Sequence, residues 1–279
     1  MLAHEFMRHA LVAGSAIAVA CGLVGYLVVL RAQVFAGDAL SHVAFTGALA
    51  AAALGSSIRG GLYAATILGG IVIGLLGDRA RADDVAIGSF FAWSMGLGVL
   101  FLSIFTTRQS AGNGTGGVHV LFGSILGLSR TDVVVSVALA GLACLLLLLA
   151  ARPLVFATLD AEVAQARGVP VRVLGLGFLA LLGLVAAQAT QVVGALLLLG
   201  LLAAPAGAAH RLTANPYRGL AVSAALALVS VWGGLSLAYA IPTLPPSSAI
   251  VGVATAAYLL SSVGRGAQAA AQAWVRHAS

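Results

Sequence analysis

The sequence predicts an all-α, polytopic membrane protein. Hydrophobic residues make up 61% of its 279 residues and charged residues only 8%. Apolar runs of roughly 17–22 residues, the length that a helix needs to cross a bilayer, recur from one end of the chain to the other. They are unbroken stretches of Leu, Ala, Val and Gly, whereas the strands of an outer-membrane barrel alternate in blocks of about ten residues. The composition therefore favours a helical bundle in lipid.

Eight apolar segments predict about eight transmembrane helices. They lie at 10–30, 60–77, 85–106, 133–151, 173–188, 191–209, 218–240 and 247–263. The connections between them are short, so residues 1–279 are expected to form one transmembrane domain. Cys21 and Cys144 fall inside apolar segments, where cysteine behaves as a small hydrophobe, and no disulfide or metal pattern is indicated.

Basic residues predict which connections are cytoplasmic. Arginine and lysine collect on the cytoplasmic side of a membrane, so the net charge of +6 is expected to mark loops rather than nucleic-acid binding. This rule places Arg79 and Arg81 inside. It also places inside the polar segment 155–171, which is too charged to be buried in lipid.

The same count leaves the apolar segment 39–55 ambiguous. If Arg8 keeps the N-terminus inside, Gly37 and Arg59 both lie outside, and 39–55 must be a re-entrant or broken helix beside an enclosed cavity. The alternative is a full ninth crossing with the N-terminus outside. Segment 118–130 would be a second partial insertion from the outer face.

The best indication of function is the stretch Gly37-Asp38-Ala39-Leu40-Ser41-His42. Positions i and i+4 of a helix share one face about 5–6 Å apart, so Asp38 and His42 could reach one divalent cation. An ionisable residue near an apolar span is a functional-site hypothesis by default. Asp38 could instead cap a helix N-terminus, and His42 could be a packing residue.

The segment from Leu159 to Val171 has the charge pattern of a short helix. Acidic residues stand at its start, a basic residue stands near its end, and a glycine and a proline act as stop signals. These residues are Asp160, Glu162, Arg167, Gly168 and Pro170. A solvated connector is the alternative interpretation.

A few other residues carry weaker expectations. Pro205 should kink its helix, and Asp83, Asp84 and Asp132 are expected to be N-caps. His119 follows a glycine-rich external loop and is expected to be exposed. His210, beside Arg211, is expected at the cytoplasmic end of a helix, where a cation suits the dipole.

Five blocks of sequence, in order along about residues 20–262, resemble the permease subunits of ATP-binding-cassette (ABC) importers for zinc, manganese and iron. The blocks are 30–33 with 37–42, 83–88, 121–127, 160–170 and 191–206. One departure is His210, where the family more often has a small or apolar residue.

The resemblance implies a transmembrane permease in the inner membrane, surrounded by lipid, that imports a divalent transition metal by alternating access. Its implied partners are two cytoplasmic ABC ATPase subunits, an extracytoplasmic metal-binding protein and a second permease copy, with a homodimer expected. No permanently bound cofactor is expected, only the transported Zn²⁺ or Mn²⁺, or Fe²⁺. The permease hydrolyses nothing, and the chain has no Gly-x-x-x-x-Gly-Lys-Ser/Thr phosphate loop.

The resemblance also assigns roles to residues. It favours Asp38 and His42 as metal ligands, since carboxylate and imidazole suit these cations. It makes 155–171 the coupling segment that docks on the ATPase, through Asp160, Glu162, Val163, Ala166, Arg167 and Gly168.

Three other functions are weighed against this one. The permease of a siderophore or cobalamin importer would not require the Asp-x-x-x-His pair. A proton- or sodium-coupled secondary transporter would show two inverted halves, and no convincing internal repeat is found. An intramembrane enzyme would need a nucleophile and base, and no such motif is present.

Overall fold

The computed structural model describes residues 4–77, 84–108, 125–192, 194–195, 198–241 and 243–278. Ten α-helices, and no strand, occur in these ranges. A 3-10 turn, Ile125–Gly127, precedes the fifth helix. In chain order the helices are α1 (Glu5–Leu30), α2 (Val34–Ala53), α3 (Ile58–Leu76), α4 (Asp84–Arg108), α5 (Arg130–Leu159), α6 (Ala161–Ala166), α7 (Val171–Val192), α8 (Leu198–Leu212), α9 (Pro216–Ala240) and α10 (Pro246–Ala278).

Eight of these helices are long and apolar enough to cross a membrane; α6 and α8 are the shorter ones. A helix bonds all its interior backbone groups within itself, which is what a segment in lipid requires. The predicted all-α, polytopic class is therefore confirmed.

The break expected within 39–55 is wrong, because α2 is one continuous helix of 20 residues. At 1.5 Å per residue it is about 30 Å long, enough to cross the hydrocarbon core. The interruption lies instead inside the predicted span 191–209, between α7 and α8, where Gly194 adopts a φ of 96°. The following α8 has 15 residues and is about 22 Å long. Of the two segments, α8 and not α2 is therefore the helix too short to span the hydrocarbon core.

Contacts at both ends show that α1 and α5 run parallel. Near the start of α1, His9 Nδ1 lies 3.2 Å from the carbonyl oxygen of Leu128, just before α5. Just beyond the other end, Arg31 Nε donates a hydrogen bond of 3.0 Å to Thr158 Oγ1 in the last turn of α5. The N-terminus and the 155–171 segment therefore lie at opposite ends of the bundle.

A third contact settles the direction of α2. Arg59, in the first turn of α3, forms an ion pair with Asp132 in the first turn of α5. Arg31 is thus at one end of the bundle and Arg59 at the other, and α2 connects them. Arg8 and 155–171 therefore lie at opposite ends, and the expectation that both are on the cytoplasmic side is wrong. The contacts support the alternative in which 39–55 crosses completely, and α2 is one of the eight described helices long enough to do so.

Two other expectations are only partly covered. Of segment 118–130 the structure describes the 3-10 turn, with Ile125 buried against α1, and the residues after it. Asp83 and His119 lie outside the described residues.

Close packing of small residues positions α2 in the bundle. A Cβ atom added to Gly47 would lie 2.6 Å from the carbonyl oxygen of Gly61 in α3, so the two backbones touch there. Such close approaches are how helices associate in lipid, where apolar side chains gain nothing from leaving water. The helices α2 and α3 therefore form one antiparallel unit.

This topology predicts opposite labelling of the two ends of α2. In a background with Cys21 and Cys144 replaced by Ala, Ser57→Cys should react with an impermeant thiol reagent in intact cells. Ala32→Cys should react only in inside-out vesicles, together with a marker cysteine at Gln165 in the polar segment. Reaction of Ala32→Cys and Ser57→Cys, which flank α2, from the same face of the membrane would restore the re-entrant interpretation.

Candidate functional site: a carboxylate–imidazole pair on α2

The helix α2 carries both predicted metal ligands in its interior. It begins at Val34 with Gln33 as its N-cap residue, so Asp38 is the fifth helical residue and does not cap it. The capping interpretation of Asp38 is therefore wrong. Asp38 and His42 are both half-buried and lie one turn apart on the same face.

The face that carries the pair is the open face of α2. Phe35, Asp38, His42 and Phe45, spaced by three, four and three residues, are each half-buried or exposed. Most of the remaining α2 residues in this stretch are buried. We call these four residues the α2 stripe. Its spacing is that of a single helical face, so the two candidate ligands point away from the packed core.

Neighbouring helices cover the other faces of α2. Thr46 donates a hydrogen bond of 3.0 Å to the carbonyl oxygen of Ser94 in α4. Gly37 faces the side chain of Leu202 in α8, and Gly47 faces α3. Among the described residues the α2 stripe is the least covered part of this stretch of α2, with α4 reaching it from one side through Phe91.

Aromatic rings line the α2 stripe. The His42 ring meets the Phe91 ring of α4 edge to face, with centroids 5.1 Å apart and planes inclined by 66°. Phe35 meets the same ring at 6.3 Å. These contacts position the imidazole through its ring edge or face without using a nitrogen. Among the described residues, neither the His42 nitrogens nor the Asp38 carboxylate makes a hydrogen bond or ion pair.

The pair by itself is an incomplete metal site. Within the described ranges no group of three or more His, Cys, Asp or Glu side chains is arranged to hold a metal ion. One chain thus offers two ligands, and a four-coordinate site needs two more from water or from a second copy.

The predicted short helix in the polar segment is confirmed as α6. Asp160 caps it, its Oδ1 accepting a 3.0 Å hydrogen bond from the backbone N–H of Val163. Gly168 ends it with a φ of 81°, the left-handed conformation that glycine adopts without strain. Arg167 lies with its guanidinium carbon 5.8 Å from the centre of the Phe156 ring.

One exposed face of α6 is apolar, beside the exposed Glu162 and Gln165. Val163 and Ala166 are exposed, as is Leu159 just before the helix, whereas Ala164 is fully buried. Val163 and Ala166 are three residues apart in α6 and so share one face. Leu159 ends α5, and the extended backbone of Asp160 separates it from α6, so no helical spacing connects it to Val163. Leu159 was not among the predicted docking residues.

A direct contact connects the α6 end of the bundle to the start of α2. Arg31 stands in the three-residue connection between α1 and α2. Besides its bond to Thr158, its guanidinium carbon lies 4.8 Å from the centre of the Phe178 ring in α7. Thr158 in turn donates a 2.6 Å hydrogen bond to the carbonyl oxygen of Leu154. The sequence offered no signal for this link, because its residues are far apart along the chain.

His210 proves to be a packing residue. Its ring stacks on that of Tyr26, with centroids 4.1 Å apart and planes inclined by 8°. Its Nε2 lies 3.0 Å from the carbonyl oxygen of Tyr26, which can only accept, so Nε2 carries the proton. As expected, it lies in the last turn of its helix, α8, with Arg211 next to it.

The helix cap near Asp132 differs from expectation. Ser129 is the N-cap of α5, and Asp132 is the acidic member of a capping box, bonded to the backbone N–H and hydroxyl of Ser129. The sequence Ser-x-x-Asp is a known signature of this motif. Asp132 also forms the ion pair with Arg59, and this pair was not predicted.

Comparison with known proteins now identifies the family. The family model described as the ABC 3 transport family matches residues 3–265. The chain belongs to this family. It is therefore a membrane subunit of a transport system and not a catalytic subunit, and the resemblance inferred from the five sequence blocks is confirmed.

Individual members of the ABC 3 transport family are similar along most of the chain. The manganese transport system membrane protein MntC of Halalkalibacterium halodurans is 30% identical over 236 residues, which are 84% of this chain and 79% of that protein. The chelated iron transport system membrane protein YfeD of Yersinia pestis is 30% identical over 204 residues, 73% and 67% of the two chains. PsaBC from Streptococcus pneumoniae, solved in complex with Fab, matches with a TM-score of 0.79 and 27% identity, covering 92% of this chain and 91% of that one.

Proposed function

We propose that this chain is the permease of an inner-membrane ABC importer that moves a divalent transition metal into the cytoplasm by alternating access. Two copies form the membrane unit, two cytoplasmic ATPase subunits drive it, and an extracytoplasmic metal-binding protein delivers the ion. The observation that carries the proposal is the Asp38–His42 pair on the open face of an otherwise packed helix.

The chemistry of the pair favours a bare cation as substrate. A carboxylate in a transmembrane segment is costly, and such residues are kept where they serve an ion or substrate path. Carboxylate and imidazole together suit Mn²⁺, Fe²⁺ and Zn²⁺. A chelate such as a siderophore or cobalamin hides its metal from protein ligands and would have no use for the pair. The names of the relatives MntC and YfeD point to manganese and iron.

A homodimer completes the site. Related by a two-fold axis, two α2 stripes would face each other and bring two carboxylates and two imidazoles to one ion. Water would take any remaining coordination position. Such a site would bind the ion within the membrane and could still release it, because the ligands come from two separate chains and do not enclose the ion when the chains move apart.

The Arg31 contacts supply a route for energy from the ATPase to this site. The exposed apolar face of α6 is the part of 155–171 that would dock on the ATPase, and α6 directly follows the helix that ends beside Thr158. Thr158 is bonded to Arg31, and Arg31 leads in seven residues to Asp38. A displacement of α6 would therefore reach the start of α2 through one hydrogen bond and a three-residue turn.

The ligand assignment predicts a selective loss of transport. Asp38→Asn and His42→Gln should each lower metal accumulation at least tenfold, since the first removes the charge of one ligand and the second removes the imidazole, with little change in volume. Protein abundance should stay within about twofold, because neither side chain makes a packing hydrogen bond. Ala50→Ser, at a half-buried position of α2 outside the stripe, is the control and should transport normally. Cellular uptake measured element by element, with abundance from an affinity tag, tests this and names the metal; normal uptake by both ligand variants would refute the site.

If energy passes through the Arg31–Thr158 hydrogen bond, substitutions of the two residues should have non-additive effects on transport. Arg31→Gln and Thr158→Val should each reduce metal transported per ATP hydrolysed, while ATPase co-purification and basal hydrolysis persist. The double variant should be no worse than Arg31→Gln, because both changes remove the same bond. Proteoliposomes containing the complete importer give both rates. Additive losses, or an unchanged ratio of transport to hydrolysis, would show that the bond has no part in coupling.

The docking role of α6 predicts a face-dependent effect of added bulk. Ala166→Trp should abolish uptake and weaken co-purification of the ATPase, because it enlarges the exposed apolar face. Gln165→Trp places the same indole on a different exposed face and should be tolerated. Gly168→Pro, which alters the helix end, should resemble Ala166→Trp. Equal behaviour of the two tryptophan variants in pull-down and uptake would move the coupling role to another loop.

A further inference from the structure

A surface cleft lies among α1, α8 and α10, on the side of α8 that faces away from α2. Its volume is about 390 Å³. It is lined by Val29, Leu199, Gly200, Ala203, Ala204, Gly207 and Tyr258. The lining residues of α8 are all half-exposed, so the cleft opens at the surface of the described bundle.

The shape of the cleft follows from the sequence of α8. Four small residues occupy one face of this helix over two turns, which leaves a trough between α1 and α10. Gly200 and Gly207 also bring α10 close, since a Cβ on either would lie within 3 Å of Val251 or Tyr258. The cleft is therefore narrow, and a helix about 10 Å in diameter would fill roughly 400 Å³ with a single 5.4 Å turn. It suits a flexible chain better than a helical partner.

One end of the cleft is cationic. Arg211 lies one turn beyond Gly207 on the same face of α8. Its guanidinium lies over the Tyr258 ring, 4.2 Å from the centroid, and donates a 2.6 Å hydrogen bond to the Tyr258 hydroxyl. This end of α8 is held against Tyr26, near the end of α1 that also contacts Thr158. Arg211 is thus fixed at the α6 end of the bundle, where lipid headgroups meet the protein.

We propose that the cleft binds an anionic phospholipid, with one acyl chain among the small residues of α8 and the phosphate beside Arg211. The apolar lining matches an acyl chain, and its described residues include no carboxylate, imidazole or thiolate for the transported metal. A guanidinium presents paired donors to phosphate oxygens, and basic pockets between transmembrane helices on the cytoplasmic side hold such headgroups. The lipid site does not depend on the proposed transport function. The proposed function is used only to decide which leaflet the lipid occupies, because it makes the α6 end cytoplasmic.

Native mass spectrometry of the purified full chain tests the site with two lipids of identical chains, palmitoyl-oleoyl phosphatidylglycerol and phosphatidylcholine. The wild type should retain phosphatidylglycerol about fivefold more than phosphatidylcholine, the preference expected from one arginine. Arg211→Gln should remove the preference and leave phosphatidylcholine bound. Ala203→Phe, which fills the cleft, should remove both, and Ala204→Leu should do the same from the neighbouring position.

Matched controls make the outcome specific. Arg218→Gln removes an exposed arginine elsewhere at the same end of the bundle, and Ala221→Phe adds bulk on an exposed face of α9; both should bind lipid as the wild type does. Full phosphatidylglycerol retention by both cleft-filling variants would overturn the proposal, as would equal effects of Arg218→Gln and Arg211→Gln. Disulfide formation between two copies carrying Ala203→Cys would assign the cleft to a protein interface and would also overturn it.

Discussion

The backbone contact between α2 and α3 at Gly47 and Gly61 determines where the candidate ligands can be. Without side chains at this crossing the two helices approach closely, and α2 is drawn into the bundle until α4 and α8 cover further faces. Among the described residues the α2 stripe stays the most open part of this stretch, with α4 touching one side of it through Phe91. Since the helical period places Asp38 and His42 on that stripe, the packing of glycines on one side of α2 decides that two ionisable groups face outward on the other.

Two polar contacts at opposite ends of the bundle join helices that are far apart in sequence. The Arg59–Asp132 ion pair ties the start of α3 to the start of α5, and the Arg31–Thr158 bond ties the α1–α2 connection to the end of α5. Lipid provides no hydrophobic force between helices, so such contacts contribute to register as much as to stability. The Arg31–Thr158 bond also places α6 close to the first turn of α2. The proposed coupling therefore passes through one direct contact and no chain of intermediate residues.

Much of the fold and part of the site could be predicted from residues alone. The α6 helix was predicted from Asp160 and Gly168, and the Asp38–His42 pair from its spacing. The prediction of a broken α2 failed for a physical reason. The charge rule placed Arg8 on the same side as 155–171, which put Gly37 outside together with Arg59 and left 39–55 no room to cross. The α1–α5 contacts place Arg8 and 155–171 at opposite ends of the bundle. Arg59 lies at the end away from 155–171, where it pairs with Asp132, a residue 73 positions away in sequence.

The sequence by itself determined the membrane-embedded helical class, the family and the types of chemistry that the chain carries, because length, apolar composition and i, i+4 spacing are local properties that every helix expresses. The tertiary structure alone decided that α8 rather than α2 is the short helix, that Asp38 is inside its helix instead of capping it, and that Arg31 meets Thr158. Those facts depend on which helix surfaces pack together. Contacts between residues that are distant along the chain leave no pattern in the local sequence.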